Sequence, residues 1–359
     1  MSPVKLIAQV KLLTTPEQAE ALSRTMRLAN AACDYISEAA WKSKVFGQYP
    51  LHRQVYRDTR ETFLSSQVVV RCIAKVSDAY KFDHETKRTF KPRGAIPYDD
   101  RILRWYNDRA WVSIWTVEGR QVIPFVCGER QREWLRARQG ESDLVYRDGV
   151  YYLFATCQAD EPIPKEVGDA LGVDLGIVNL AVDSDGQTYS GAQVNGLRYR
   201  HRRLRQKLQQ KGTKASKRLL KKRSGKERRF ARHVNHCISK ALVWKAKDTK
   251  RAIALEELRG IRQRTTVRKS QRATHSAWAF ADLRAKIEYK ARLAGVTVMA
   301  VDPRNTSRTC PACGHTDPAN RRTQSQFSCV RCGHSQPADH VAAVNIRRVA
   351  VNRPDFSAA

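Results

Sequence analysis

Three acidic residues, Asp174, Glu256 and Asp339, stand 82 and 83 residues apart in a chain of 359. Asp174 lies in GVDLGIVNLAVDSDG (172–186), which reads as a buried strand running into a tight hairpin turn, with Gly172 and Gly176 beside it on its own face. Glu256 lies in RAIALEELRG (251–260), a short apolar strand, on the face that carries Ala252 and Ala254. Asp339 lies in QPADHVAAVNI (336–346), the start of a helix with Pro337 in its first turn. Small neighbours would leave room for ions and a sugar-phosphate backbone. Carboxylates gathered by a fold can hold two Mg²⁺ ions about 4 Å apart, which activate water and stabilise the leaving oxygen of a phosphodiester. Taken singly, each has a plainer reading: a turn or edge Asp, a strand-end charge, and a helix-start acid favoured by the dipole.

Four cysteines form a second set. Cys310-x-x-Cys313 and Cys329-x-x-Cys332 are separated by 15 residues, and Gly314 and Gly333 let each knuckle fold back. Two such knuckles complete a tetrahedral thiolate cage for one Zn²⁺ ion, and four protein ligands leave no open position, so the metal is structural. A redox pair would not explain the duplication. His315 and His334 read as surface residues rather than ligands. Zinc loss should cost folding and leave the chemistry at the carboxylates unchanged in whatever remains folded.

The composition points to a polyanionic partner. Lys and Arg number 66 against 35 Asp and Glu, a net charge of +31 with a pI near 10.2. A surplus of that size fits nucleic acid. Residues 198–232 hold 17 Lys or Arg and one acid, Glu227; Leu204 and Leu208 give a thin helical stripe, which Gly212 and Gly225 should break. Self-repulsion there should disfavour the helix unless a polyanion neutralises it. The basic stretch 259–272 (RGIRQRTTVRKSQR) is a second candidate contact. No signal-peptide pattern and no membrane-length apolar run is visible. The other cysteines, 33, 72, 127, 157 and 237, are scattered, which fits a reducing, cytoplasmic setting.

The elements that must position these residues follow from periodicity. KLIAQVKLL (5–13) reads as a strand. Thr15-Pro16-Glu17-Gln18 starts a helix whose face is Leu22, Met26, Ala29, Cys33, Ile36 and Ala40. A second helix begins near Ser66 with Val69, Ile73, Val76 and Tyr80. From 88 to 160 the texture is strands, with hairpin signals at Glu118-Gly119-Arg120 and Asp148-Gly149. A small β-barrel interrupted by helices is expected, then a linker (161–170). Phe230, Val234, Ile238 and Leu242 mark one face of a further helix.

The order Asp, Glu, Asp, with the third on a C-terminal helix, is that of RNase H-like nucleases of the RuvC type; DDE transposases carry their Glu last. The chain resembles the transposon-encoded TnpB family, compact relatives of type V CRISPR effector nucleases. The resemblance rests on GVDLGIVNLAV, ARHVNHCISKALVWKA, IALEEL, FADLRAKIEYKARLAGVTVMAVDPRNTSRTCPACG and CVRCGHSQPADHVAAVNI, in this order between 172 and 346. It implies a β-barrel wedge domain (1–13 and 88–160) with a helical recognition insert (14–87). It also implies a RuvC-like α/β nuclease domain (171–305 and 335–350), an inserted zinc module that loads the target strand (306–334), and a tail (351–359). It further implies a guide RNA, recognition of a short motif in duplex DNA, passage of single-stranded DNA, and a catalytic, Mg²⁺-binding set falling on Asp174, Glu256 and Asp339. A homodimer is left open. The sequence departs from the family's last motif at Val341, where Asn is usual, and at Pro337, where an extra Asp is common; either change could loosen the hold on Asp339. Two other functions compete: a cleavage-silent RNA-guided DNA-binding repressor, and a general RNA-binding protein, which would not explain the acidic set.

Overall fold

β1 (Val4–Leu12) alternates buried and exposed residues throughout, with Val4, Leu6, Ala8, Val10 and Leu12 inward, the period of a strand with one wet face. The computed structural model describes residues 4–61, 64–164, 167–257 and 280–352, with Phe280 given by its backbone alone. The basic stretch 259–272 lies outside the described residues. The chain divides into two units, Pro3–Asp160 and Glu161–Ala359, the latter with Met1–Ser2.

In the first unit, α1 (Pro16–Ser43) starts where the sequence places it. The Thr15 hydroxyl accepts from the Gln18 N–H at 3.3 Å, and the Gln18 side chain accepts from the Thr15 N–H at 3.1 Å. Leu22, Met26, Ala29, Cys33, Ile36 and Ala40 are wholly buried. Each larger side chain so buried contributes about 1.5–3 kcal/mol, so this face outweighs the cap, which contributes about 1 kcal/mol. α2 (Gln48–Arg60) has no counterpart in the sequence reading; it buries Leu51, Val55 and Thr59, four residues apart. α3 (Ser66–Tyr80) buries Val69, Ile73, Val76 and Tyr80.

There follow β2 (Ile96–Tyr98), β3 (Leu103–Tyr106), β4 (Trp111–Thr116), β5 (Gly119–Val126), α4 (Glu129–Leu135), β6 (Arg138–Arg147) and β7 (Val150–Ala159). The seven strands make an antiparallel sheet in the order β2-β6-β7-β1-β5-β4-β3. Asp148 and Gly149 join β6 to β7 with φ of 48° and 87°, the two positive values of a type I′ turn. The edge strands β2 and β3 are consecutive in the chain, and the Tyr98 hydroxyl donates to the Trp115 carbonyl at 3.0 Å. The sheet therefore curls until it is nearly closed, a barrel short of full closure.

In the second unit, the stretch read as one strand is two. β8 (Ala170–Asp174) ends at the carboxylate, and β9 (Asn179–Asp183) returns antiparallel to it. The reversal is tight at Gly176, where a β-carbon would sit 2.6 Å from the Asn179 carbonyl oxygen. The next turn, at Asp183–Gly186, forms as expected, with Gly186 at φ 89°. Asp183 is wholly buried; it accepts from the N–H groups of Asp185 and Gln187 at 3.1 and 2.9 Å and from Lys245 at 2.7 Å.

After β10 (Thr188–Ser190) come two basic helices, α5 (Ala192–Lys211) and α6 (Lys214–Asp248). Gly212, at φ 62°, ends α5. Gly225 does not break α6 but lies in its interior, at a cost of roughly 1 kcal/mol against Ala that packing of α6 against its neighbours offsets. Nor does repulsion prevent helix formation. Of the 17 cations all but Arg198, Arg205 and Arg223 are exposed to water, which screens them. The lone acid, Glu227, is buried and accepts from Arg205 at 2.8 Å, with His201 at 2.9 Å, tying α5 to α6.

β11 (Ala252–Glu256), α7 (Phe280–Ala294) and β12 (Val298–Val301) complete a five-stranded sheet in the order β10-β9-β8-β11-β12, in which β8, β11 and β12 are parallel. Alternation divides its two faces. Leu171, Val173, Ile253 and Leu255 pack with Ile238, Leu242, Leu283 and Ile287 of α6 and α7. Ala170, Ala252 and Ala254 pack with Ile346 and Ala350 of the last helix. That helix, α8 (Ala338–Val351), follows a small hairpin of β13 (Gln326–Ser328) and β14 (Ser335–Pro337). Among the described residues, no helix is long and apolar enough to cross a membrane.

Candidate active site and metal centre

Asp174 and Glu256 are the last residues of the adjacent parallel strands β8 and β11, one step beyond the Val173–Leu255 pair. Carboxyl ends of parallel strands are where open α/β sheets place their chemistry. Both belong to the alternating set that faces α8, and Asp339 sits in the first turn of α8. What seats that helix is Gly172. A β-carbon there would collide with the Ala343 carbonyl and lie 2.5 Å from the Arg347 nitrogen. This corrects the reason given for the small residues: Gly172, Ala252 and Ala254 make room for the backbone and side chains of α8, not for ions, and Gly176 serves the turn. Arg347 adds a two-pronged ion pair to Asp169 at 2.8 and 2.9 Å. Gly172→Ala is therefore expected to lower stability by about 1–3 kcal/mol. Denaturant unfolding would check it, and an unchanged midpoint would contradict the close approach.

Asp174 feels the other two carboxylates. Burial, then the charges of Glu256 and Asp339, push Asp174 up to about 8, with Arg321 opposing. Burial likewise raises Glu256, although the Thr306 hydroxyl donates to its Oε1 at 2.6 Å. Asp339 accepts from Asn179 Nδ2 at 2.9 Å and faces the Arg321 guanidinium at 3.6 Å. A cavity of about 530 Å³ is lined by Asp174, Asn179, Arg321, Asp339 and His340 among others; Glu256 is not part of its lining. One arginine among three carboxylates leaves a negative excess in a partly dry site. Oxygen donors so placed suit a hard divalent cation such as Mg²⁺.

The four sulfurs lie within 4.8 Å of one another, and no second group of three or more potential ligands is so gathered among the described residues; the carboxylates stand further apart. Cys310 and Cys332 are 3.6 Å apart at sulfur, as are Cys313 and Cys329. A disulfide would need about 2.05 Å, whereas a tetrahedron with 2.3 Å zinc–sulfur bonds has edges of about 3.8 Å. The knuckles match. Cys310 and Cys329 donate their N–H groups to the carbonyls of His315 and His334, both at 2.9 Å, and Gly314 and Gly333 both have φ of 72°. Against burial, which favours the thiol, the N–H groups of Cys332 and Arg331 draw Cys329 down to about 6. The set fits one zinc ion.

The cage and the carboxylates are not independent. Val341, two residues after Asp339, is wholly buried with Cys310, Phe327, Cys329 and Ala338 in one cluster. Arg321, from the short helical turn Pro318–Arg321, reaches Asp339. Asn345 of α8 donates to the carbonyls of Thr306 and Thr309, both at 2.7 Å. The expectation that zinc leaves the carboxylate chemistry untouched does not fit these contacts. Val341 anchors its helix turn instead of loosening it, and Pro337 forms the N-cap of α8.

Sequence reasoning missed Arg321, Thr306 and Asn179. One arginine among 66 basic residues carries no signal, and Thr306 has none either. Asn179 was visible, five residues after Asp174, but its partner lies 160 residues away.

Comparison with known proteins decides the relationship. A family model for a probable transposase (OrfB_IS605) matches residues 154–259, and one for the Cas12f1-like TNB domain matches 280–346. A TnpB-like protein of Methanocaldococcus jannaschii is 30% identical over 174 residues, 44% of this chain and 62% of its own length. The chain is a relative of the TnpB-like and Cas12f proteins. The CRISPR-associated endodeoxyribonuclease Cas12f2 of a Micrarchaeota archaeon is 30% identical over 224 residues, 57% of this chain and 41% of its own length. This TnpB and Cas12f relative thus covers less than two thirds of either curated protein. Its fold resembles that of Cas12f1 in a Cas12f1–sgRNA–target DNA complex, with a TM-score of 0.59 and 16% identity over 91% of this chain and 82% of that one. The two family models between them take in Asp174, Glu256, Asp339 and all four cage cysteines.

Proposed function

We propose that the protein is an RNA-guided DNA endonuclease that binds a transposon-derived guide RNA and recognises a short flanking motif in duplex DNA. It would cleave the target by two-metal phosphodiester hydrolysis. The observation that carries this reading is the placement of Asp174 and Glu256 at neighbouring strand ends beneath the helix that bears Asp339, with Asp174 pushed up by burial and by the charges of the other two. A mixed sheet in which an antiparallel hairpin leads into parallel strands, with a C-terminal helix across one face, supports an RNase H-like, RuvC-type domain at 171–305 and 335–350. The names of the relatives support the guide and the DNA target.

In this mechanism Asp174, Glu256 and Asp339 would hold two Mg²⁺ ions. Bound there, such ions supply an activated water and neutralise charge on the leaving oxygen. Thr306 orients Glu256 and Asn179 orients Asp339 through the hydrogen bonds above. Arg321 places a cation beside the same carboxylates, where a phosphate oxygen would lie. The exposed cations of α5 and α6, within 198–232, offer the backbone of a guide–target heteroduplex a charged surface. The zinc module (306–334) would bring the single strand to the site, and the wedge (1–13 and 88–160) with its insert (14–87) would read the flanking motif.

Sequencing the RNA that copurifies with the protein would define a guide. A plasmid carrying its complement, beside a library of flanking sequences, should be cut in Mg²⁺ only where guide and flank both match. A random RNA population, or cutting indifferent to the guide, would overturn the proposal. Binding without cutting would favour the repressor reading.

A further inference from the structure

Among the described residues, Arg321 is the single basic side chain within ion-pair distance of any of the three carboxylates. Its Nη2 lies 3.6 Å from Asp339 Oδ1 and donates to the Gln324 carbonyl at 3.2 Å. At 3.6 Å the contact with Asp339 is charge against charge and not a hydrogen bond. Other arginines of this unit grip their acids with two prongs. Arg251 holds Asp185 at 2.8 and 2.6 Å, and Arg347 holds Asp169 at 2.8 and 2.9 Å. The Arg321 side chain, 25% exposed, is loosely held by comparison. Its charge is felt beyond Asp339. Burial raises both Asp174 and Glu256, and Arg321 opposes the rise in each.

The backbone beneath that side chain is firmly fixed. Asp317 caps the turn Pro318–Arg321, its carboxylate accepting from the Ala319 N–H at 2.7 Å. Asn320 is wholly buried; it donates to the carbonyls of Arg308 and His315 at 2.9 and 3.1 Å and accepts from the Val330 N–H at 2.9 Å. His315 follows the first cysteine knuckle and Val330 lies inside the second, so one amide ties the turn to both. A long side chain on a fixed root can swing its charge without moving the cage.

A cation so placed offsets part of the repulsion among the carboxylates, and it repels any second cation. A unit charge and a divalent ion about 5 Å apart weaken each other's binding roughly tenfold even at the dielectric of water, and more in a partly dry site. A phosphate oxygen acts the other way. It attracts the guanidinium into charge-assisted hydrogen bonds and relieves the carboxylates of their internal cation.

We propose that Arg321 is an electrostatic gate, holding the carboxylate site against divalent ions until the phosphate of a bound strand draws its charge away. Strand and ions then bind cooperatively, each raising the affinity of the other by the same factor. The inference rests on Asp174, Glu256 and Asp339 being divalent-ion ligands, and adds a reason for the site to fill only where a strand is present.

The test titrates the full chain, stripped of copurified RNA, with Mn²⁺ and follows the free ion by electron paramagnetic resonance. Without a strand, Arg321→Gln should bind Mn²⁺ at least about fivefold more tightly than wild type, and Arg321→Lys, which keeps the charge, within about twofold of it. A side chain that merely braced Asp339 gives the opposite sign, because its loss would weaken binding. A ten-nucleotide thymidine strand, its own Mn²⁺ uptake subtracted, should then tighten binding at least about fivefold more in wild type than in Arg321→Gln. Equal or weaker binding by Arg321→Gln without the strand would overturn the proposal, as would equal tightening by the strand in both proteins. Arg321→Met carries the same expectations should Arg321→Gln lose its zinc or its fold. Asp174→Asn separates this proposal from the reading beneath it. If that variant binds Mn²⁺ as wild type does, the carboxylates are not the ligands; if it binds far more weakly while Arg321→Gln matches wild type, the gate alone fails.

Discussion

Asp174→Asn is expected to abolish target cleavage, lowering the rate by at least ~10³-fold while leaving guided DNA binding within about twofold. A divalent ion held at a reacting phosphate supplies several kcal/mol of transition-state stabilisation, and about 4 kcal/mol corresponds to that factor. The amide keeps the shape of the side chain and removes the charge that an ion needs. The same substitution should not harm the fold. Asp174 is half-buried beside like charges, and desolvation together with those charges pushes it up to about 8, so a neutral isostere relieves both costs. Without divalent ions the variant should melt at or above the wild-type temperature. A folded, DNA-binding Asp174→Asn variant that still cuts at the wild-type rate would remove Asp174 from the chemistry. A variant that cannot fold would instead make its role structural.

Removing the zinc cage is expected to have the second largest effect, and it should reach the carboxylates. Cys329→Ser takes one thiolate from a set whose sulfurs lie within 4.8 Å of one another. Structural zinc contributes on the order of 10 kcal/mol to the folding of the module that holds it. With that module loosened, Val341 loses the packing of Cys310, Phe327 and Cys329, Arg321 leaves Asp339, and Thr306 no longer fixes Glu256. Zinc content measured by atomic emission should fall from about one ion per chain, and cleavage should fall at least ~10²-fold, since a misplacement of about 1 Å costs that much. A zinc-free protein that keeps its rate would show that cage and carboxylates act independently.

The parts legible in the sequence were those whose cause is local. Thr15 and Pro16 start α1 through a bond three residues long, Asp148-Gly149 turns a hairpin by its own dihedrals, and each cysteine knuckle closes within six residues. Asp174, Glu256 and Asp339 could be singled out because their order is informative even when their distances are not. What stayed hidden has its cause in distant chain. Gly172 looked like room for an ion, but the atoms that require it are in Ala343 and Arg347, over 170 residues away. Glu227 looked like a stray acid in a basic run, yet it ties two helices together through His201 and Arg205. Gly225 looked like a break because an isolated glycine in a charged run carries no sign that tertiary packing will hold the helix straight. α2 was legible but passed over: Leu51, Val55 and Thr59 recur at the spacing of one helix face.

The central claim is that Asp174, Glu256 and Asp339 together hold divalent cations, and Mn²⁺ tests it without requiring guide, target or turnover. Mn²⁺ shares the oxygen-ligand preference of Mg²⁺ and can be followed by electron paramagnetic resonance as free ion disappears into bound. The wild-type chain should bind Mn²⁺ saturably, with Asp174→Asn, Glu256→Gln and Asp339→Asn each weakening that binding at least tenfold and a surface change such as Glu17→Gln having no effect. Equal Mn²⁺ binding by the wild type and all three carboxylate variants would contradict it.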